Sequence, residues 1–205
     1  SGADGSYRPG VSDVNLLILI DEPQPDLLEE LARRGRRVIK KHRITPMVIS
    51  VEEYRRGSDV FPMEYLDIRD RHLLLYGEDL TGELDFSNTN LRHQLEAQLR
   101  GSLFSLRQLI LSARGRKRLL ARELPRWQGG LQALFRALIR LVDTNGSGRE
   151  EALPVLAERF SFDPEPFRQL NALRQGERVD PRPLSSALVL ELAKLVRAVD
   201  QWEEQ

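Results

Sequence analysis

The chain has 205 residues, 40% hydrophobic and 30% charged, enough for one large core or two small ones and unlike a disordered or collagen-like polymer. It contains no cysteine, which excludes disulfide scaffolds, thiolate zinc centres and cysteine nucleophiles, and a reducing, cytoplasmic setting is the expectation. Its net charge of zero hides an asymmetry: residues 1–90 carry 12 Lys/Arg against 17 Asp/Glu, and the rest 19 against 14, a balance unlike the strongly basic footprint of a dedicated DNA binder.

The first residues are glycine-rich and polar, without the apolar core of a secretory leader. Val14–Ile20 is a nearly continuous leucine and β-branched run, the pattern of a strand covered on both faces and far too short to span a bilayer, so no membrane partner is expected. Pro25 and Asp26 open a helix with Leu27, Leu28, Leu31 and Ala32 on one side, and Gly35 is expected to end or bend it. The basic run Arg33–Arg43 reads as a solvated helix end, with a phosphate-facing role as the alternative. Ile44–Ser50 is a second strand, Val51–Arg56 a short helix closed by Gly57, and His72–Tyr76 a third strand ending at Gly77. This order predicts an α/β layer domain over residues 1–86.

From Leu91 the period becomes helical. Leu91, Leu95, Leu99, Leu103, Leu106 and Ile110 form one apolar stripe, with Thr89 and Asn90 as capping candidates. Further helices are expected over Leu131–Val142, Glu150–Phe160, Pro164–Arg174 and Leu184–Trp202, giving an all-α bundle over residues 90–205. The boundary is expected at Asp85–Asn90. Between the first two helices, "RGRKRLLARELPR" reads as a solvated connection whose arginines pair with the acidic first domain; a nucleic-acid site is the alternative, with Trp127 for stacking.

The most specific stretch is "SGADGSYRPGVSDVNLLILID", Ser1–Asp21. In Ser1, Asp4-Gly5, Pro9, Ser12-Asp13 and Leu16-Leu17 it resembles the nucleotidyltransferase superfamily, the fold of DNA polymerase β, in its small bacterial versions. The resemblance continues more weakly into "LLLYGEDL", Leu73–Leu80, and to the helical bundle that often follows such domains. It implies an α+β protein: a small mixed sheet, then an all-α bundle. It also implies transfer of a nucleoside monophosphate from a Mg²⁺-bound nucleoside triphosphate to a small-molecule or protein hydroxyl. Ser1, Gly2 and Ser12 would then touch phosphate, and Asp13 and Asn15 would take the metal positions. A strand ending in glycine is expected upstream of Ser1.

The chemistry accounts for these residue types. Mg²⁺ takes hard oxygen ligands in octahedral array, and carboxylates at i and i+2 of a strand point to one face. Here the second such position is Asn15, which keeps the geometry without the charge. The family's third acid falls on Ile44–Ser50, where Thr45 or Pro46 stands; Glu64 is a candidate replacement from a neighbouring segment. Two readings follow: an active transferase, or a degenerate fold serving as a nucleotide-binding or protein-interaction module. A homo-oligomer is compatible with either, and nucleic acid is not an expected partner.

Two other motifs are weaker. "DTNGSG", Asp143–Gly148, imitates the start of a calcium loop, but position 12 is Pro154 where a bidentate Glu is required, so a turn after a helix is the reading. His42, His72 and His93 have no ligand spacing.

Overall fold

A computed structural model describes residues 14–142 and 152–202. The chain divides into two compact units, Ser1–Ser87 and Asn88–Gln205. It is mostly helical with one small sheet, an α+β organisation.

In the first unit, β1 (Val14–Ile20) and β2 (Ile44–Ser50) pair in parallel, in register from Val14↔Ile44 to Ile20↔Ser50. The helix α1 (Pro25–His42) crosses between them. Pro25 opens it, Asp26 stands in its first turn and Lys40, Lys41 and His42 in its last, which suits the helix dipole at both ends. Gly35 does not end α1, which runs on to His42. One glycine costs about 1 kcal/mol against alanine, too little to break a helix of this length with good ends. The stop comes at Arg43, whose φ is 52°, with its N–H donating to the Ile39 carbonyl.

β2 runs into α2 (Val51–Arg56) through a capping box. The Glu53 N–H donates to Ser50 Oγ at 3.0 Å, and the Ser50 N–H donates to Glu53 Oε2 at 2.7 Å. A single 3₁₀ turn, Gly57–Asp59, leads into α3 (Pro62–Asp70), a helix that the sequence reading did not anticipate. Tyr54 of α2 and Tyr65 of α3 stack with ring centroids 5.0 Å apart. With Leu84 they form this unit's core, covered by Leu17, Leu19, Ile49, Leu80 and Phe86. A Cβ at Gly57 would run into the Tyr65 hydroxyl and its ring carbon. Gly57→Ala is therefore expected to destabilise this unit by about 1–3 kcal/mol through overpacking, measurable as a lower urea midpoint by near-UV circular dichroism.

Two expectations for this unit are corrected. His72–Tyr76 forms no strand: Leu73 is 68% exposed, Leu75 72% and Tyr76 97%. Among the described residues the sheet is consequently a two-stranded parallel pair, not a mixed one. An apolar run supplies β-propensity, but a strand also needs an edge to pair with, which propensity does not specify.

In the second unit, α4 (Asn88–Ala113) buries Leu91, Leu95, Leu99, Leu103 and Leu106 in the expected stripe. Against it pack α6 (Leu131–Val142) and α9 (Pro181–Asp200), the latter through Leu188, Leu192, Leu195 and Val199, all fully buried. α7 (Ala152–Phe160) and α8 (Glu165–Arg174) complete the bundle. Phe135, Phe162 and Phe167 meet edge to face, at 5.3 and 5.5 Å between centroids. Residues 143–148, the calcium-loop imitation, lie outside the described residues.

The expected solvated connection is instead α5 (Lys117–Trp127), which buries Leu120 and Leu124. Three of its four cations pair inside this unit: Lys117 with Asp180 at 2.5 Å, Arg122 with Glu123 at 2.6 Å and Arg126 with Glu123 at 3.1 Å. The Trp127 indole N–H donates to the Ser102 carbonyl at 3.1 Å, so the ring is held against α4. The high density of arginine masked an amphipathic helix whose apolar positions, 120 and 124, are one turn apart.

Candidate functional site

Of the residues the resemblance and its replacement candidate assign to the site, Asn15 and Glu64 lie within the described residues. Ser1, Gly2, Ser12 and Asp13 lie outside the described residues. Asn15 is the second residue of β1, exposed, with Thr45 of β2 as its cross-strand partner, also exposed. By strand alternation Asn15 shares a face with Leu17 and Leu19, which pack on the Tyr54–Tyr65 stack. The amide thus stands at the margin of a core-covered face, at the end of β1 nearest Asp13. Glu64 is exposed on α3, one residue before buried Tyr65. It makes no hydrogen bond to Asn15, whose side chain has none among the described residues.

The described residues do not by themselves fit Mg²⁺. Asn15 and Thr45 offer neutral oxygens, β2 has no carboxylate, and no group of three or more His, Asp or Glu side chains could hold a metal ion among the described residues. Asp13 is the only carboxylate of the motif near the start of β1.

Elsewhere in the first unit, two polar features escaped the sequence reading. The first joins His72 to Asp79. Asp79 Oδ1 accepts from the Thr81 hydroxyl at 2.6 Å and from the Thr81 N–H at 3.0 Å, while Asp79 Oδ2 lies 2.9 Å from His72 Nε2. His72 Nδ1 is 3.1 Å from the Ile68 carbonyl oxygen and 3.2 Å from that of Arg69. Both ring nitrogens thus face acceptors, an arrangement that favours the imidazolium. With neither nitrogen left to take a substrate proton, the pair serves as a clip between the end of α3 and the 3₁₀ turn Thr81–Glu83, not as an acid–base dyad. A spacing of seven residues carries no motif, which is why it was not legible.

The second is Tyr54. Its hydroxyl is buried and has no hydrogen-bond partner among the described residues, and burial pushes its pKa up to about 12. It stays neutral across the physiological range and cannot serve as a base there.

The clip has a defined pH response. The Asp79 hydrogen bond raises the His72 pKa above 6.5, and the Thr81 hydroxyl and N–H, followed by His72, lower that of Asp79 from 3.8 to about 2. For His72 the stabilising contribution is complete below 6.5 and is lost as pH rises through the raised value. For Asp79 it is complete above 3.8 and is lost as pH falls towards 2. The clip is therefore tightest between about 4 and 6.5. An NMR titration is expected to place the His72 midpoint above 6.5 and to show it falling in Asp79→Asn.

No helix among the described residues is long and apolar enough to cross a membrane. No protein-family model, curated protein or solved structure matches the chain.

Proposed function

We propose that the chain is a nucleotidyltransferase-like protein that binds a nucleoside triphosphate at the start of β1 and has lost the acids that would drive transfer. It acts as a nucleotide-binding or protein-interaction module. The observation that carries this reading is the pairing of Asn15 with Thr45: the two strand positions nearest the motif hold neutral oxygens. Neutral donors offset none of a metal's positive charge, so Mg²⁺-dependent affinity is modest and transfer is unsupported.

The resemblance at Ser1–Asp21 supplies the ligand class, with Ser1, Gly2 and Ser12 on phosphate and Asp13 as the remaining anionic ligand. A second reading, transfer of a nucleoside monophosphate to a small-molecule or protein hydroxyl, is favoured by one feature. Asn15 is exposed and unencumbered, as a residue that meets a ligand must be.

Calorimetric titration with ATP, GTP, CTP and UTP, with and without Mg²⁺, tests the proposal. Binding of at least one that is lost in Asp13→Ala is expected; failure of all four to bind overturns it. Incorporation of labelled nucleotide into an acceptor by the unaltered protein would replace it with the second reading.

A further inference from the structure

The basic run on α1 does more than end a helix. No carboxylate lies between Glu30 and Glu52, while Arg33, Arg34, Arg36, Arg37, Lys40 and Lys41 all stand on α1. Arg34 pairs with Glu30 at 2.5 Å. Arg36, Arg37, Lys40 and Lys41 meet no carboxylate among the described residues, and they line an open hollow of about 530 Å³. All four are exposed.

Their placement follows from the helical period. Leu27, Glu30, Gly35 and Ile39 are the part-covered positions of α1, which packs on β2. At 100° per residue, Arg36, Lys40, Arg37 and Lys41 span an arc of about 140° centred opposite Gly35, and Arg33 falls within it. Successive cations at i and i+4 stand about 6 Å apart along the axis, and the row from Arg33 to Lys41 runs about 12 Å.

We infer that this face of α1 is a docking surface for the phosphate backbone of a nucleic acid. Charge complementarity commits it to a polyanion, because four uncompensated cations in a row attract repeated negative charge and repel a cationic partner. A small phosphate would be held by enclosure and converging neutral donors, whereas this hollow is open and lined by charged side chains of a single helix. A lipid surface would use the apolar side of α1, where Leu28, Leu31 and Val38 stay 40%, 36% and 54% exposed, so vesicle binding is the competing outcome that the test separates. The chain's neutrality led to the opposite expectation from the sequence, since a sum over the whole chain conceals one face. The inference does not depend on the nucleotide site at β1.

Fluorescence anisotropy with a 20-nucleotide single-stranded RNA and a 20-base-pair DNA duplex tests it. With four phosphates neutralised, log Kd is expected to rise with log salt at a slope of about 2.8 for the single strand and about 3.6 for the duplex. Between 50 and 200 mM salt that is roughly a 50- to 150-fold loss of affinity. The quadruple variant R36Q/R37Q/K40Q/K41Q, which keeps good helix formers, is expected to abolish binding with an unchanged far-UV circular dichroism spectrum. The equally discharged R107Q/R118Q/R159Q/R174Q, in the second unit, is expected to bind as the parent does. Absence of binding, equal losses in both variants, or binding only to phosphatidylserine vesicles or polyglutamate would each overturn the assignment.

Discussion

Leu192→Ala is expected to lower the stability of the helical unit by about 2–5 kcal/mol. Leu192 is fully buried on the side of α9 that carries Leu188 and Leu195, and α9 packs along α4, whose Leu95, Leu99 and Leu106 are equally enclosed. Truncation removes three carbons from a region where helices on several sides hold the backbone in place. The lost transfer energy is therefore joined by a cavity that cannot collapse. Against a usual total of about 5–15 kcal/mol, a loss in the middle of the expected range takes about a third of a typical domain's margin. Leu190→Ala on the same helix is the control. Its side chain is 63% exposed, so truncation there is expected to change stability by less than about 0.5 kcal/mol. Urea denaturation followed by far-UV circular dichroism distinguishes the two, and similar losses in both would show that helix propensity, not packing, is what α9 contributes.

The second large effect is electrostatic. Asn15→Asp is expected to tighten nucleoside triphosphate binding at least tenfold in the presence of Mg²⁺, a gain of about 1.4 kcal/mol, and to leave it unchanged or weaker without the metal. The substitution alters one atom's identity and adds a charge at an exposed strand position, so the fold has no reason to object. A carboxylate there would stand two residues after Asp13 in the sequence, the spacing the resemblance gives to the anionic pair that a hard divalent cation requires. Calorimetry with and without Mg²⁺ reads the result. Equal affinity for the parent and the variant under both conditions would remove Asn15 from the site. Loss of the gain in Asp13→Ala/Asn15→Asp would show that the two positions act together.

How much of this was legible depended on the kind of pattern involved. The leucine stripe of α4 was readable because a helix satisfies its own backbone, and periodicity alone then identifies the buried side. β1 and β2 were readable for a related reason: short β-branched runs flank a helix, and a parallel pair joined by a helix is the simplest arrangement of such an order. What failed were elements defined by partners. His72–Tyr76 has the composition of a strand but no neighbour to pair with, and α5 hid its two buried leucines among arginines. α3 went unseen because its buried residues, Pro62, Met63, Tyr65 and Leu66, are clustered without a clean period. The Ser50-Val51-Glu52-Glu53 box, by contrast, is a sequence signature that could have been found directly. At the candidate site, Asn15 was singled out by the resemblance at Ser1–Asp21, while the His72–Asp79 clip could be seen only once a turn had brought seven residues into a loop.

The division into two units also sorts the chromophores. All four tyrosines precede Asn88, and both tryptophans follow it. Excitation at long ultraviolet wavelengths, which selects indole, therefore reports on the bundle alone, through Trp127 and Trp202. Phenol absorbance reports on the sheet unit alone, and the stacked Tyr54 ionises only near 12, so an alkaline spectrum registers the opening of that core as a late step. The intact chain thus carries a separate optical signal for each half, with no label attached.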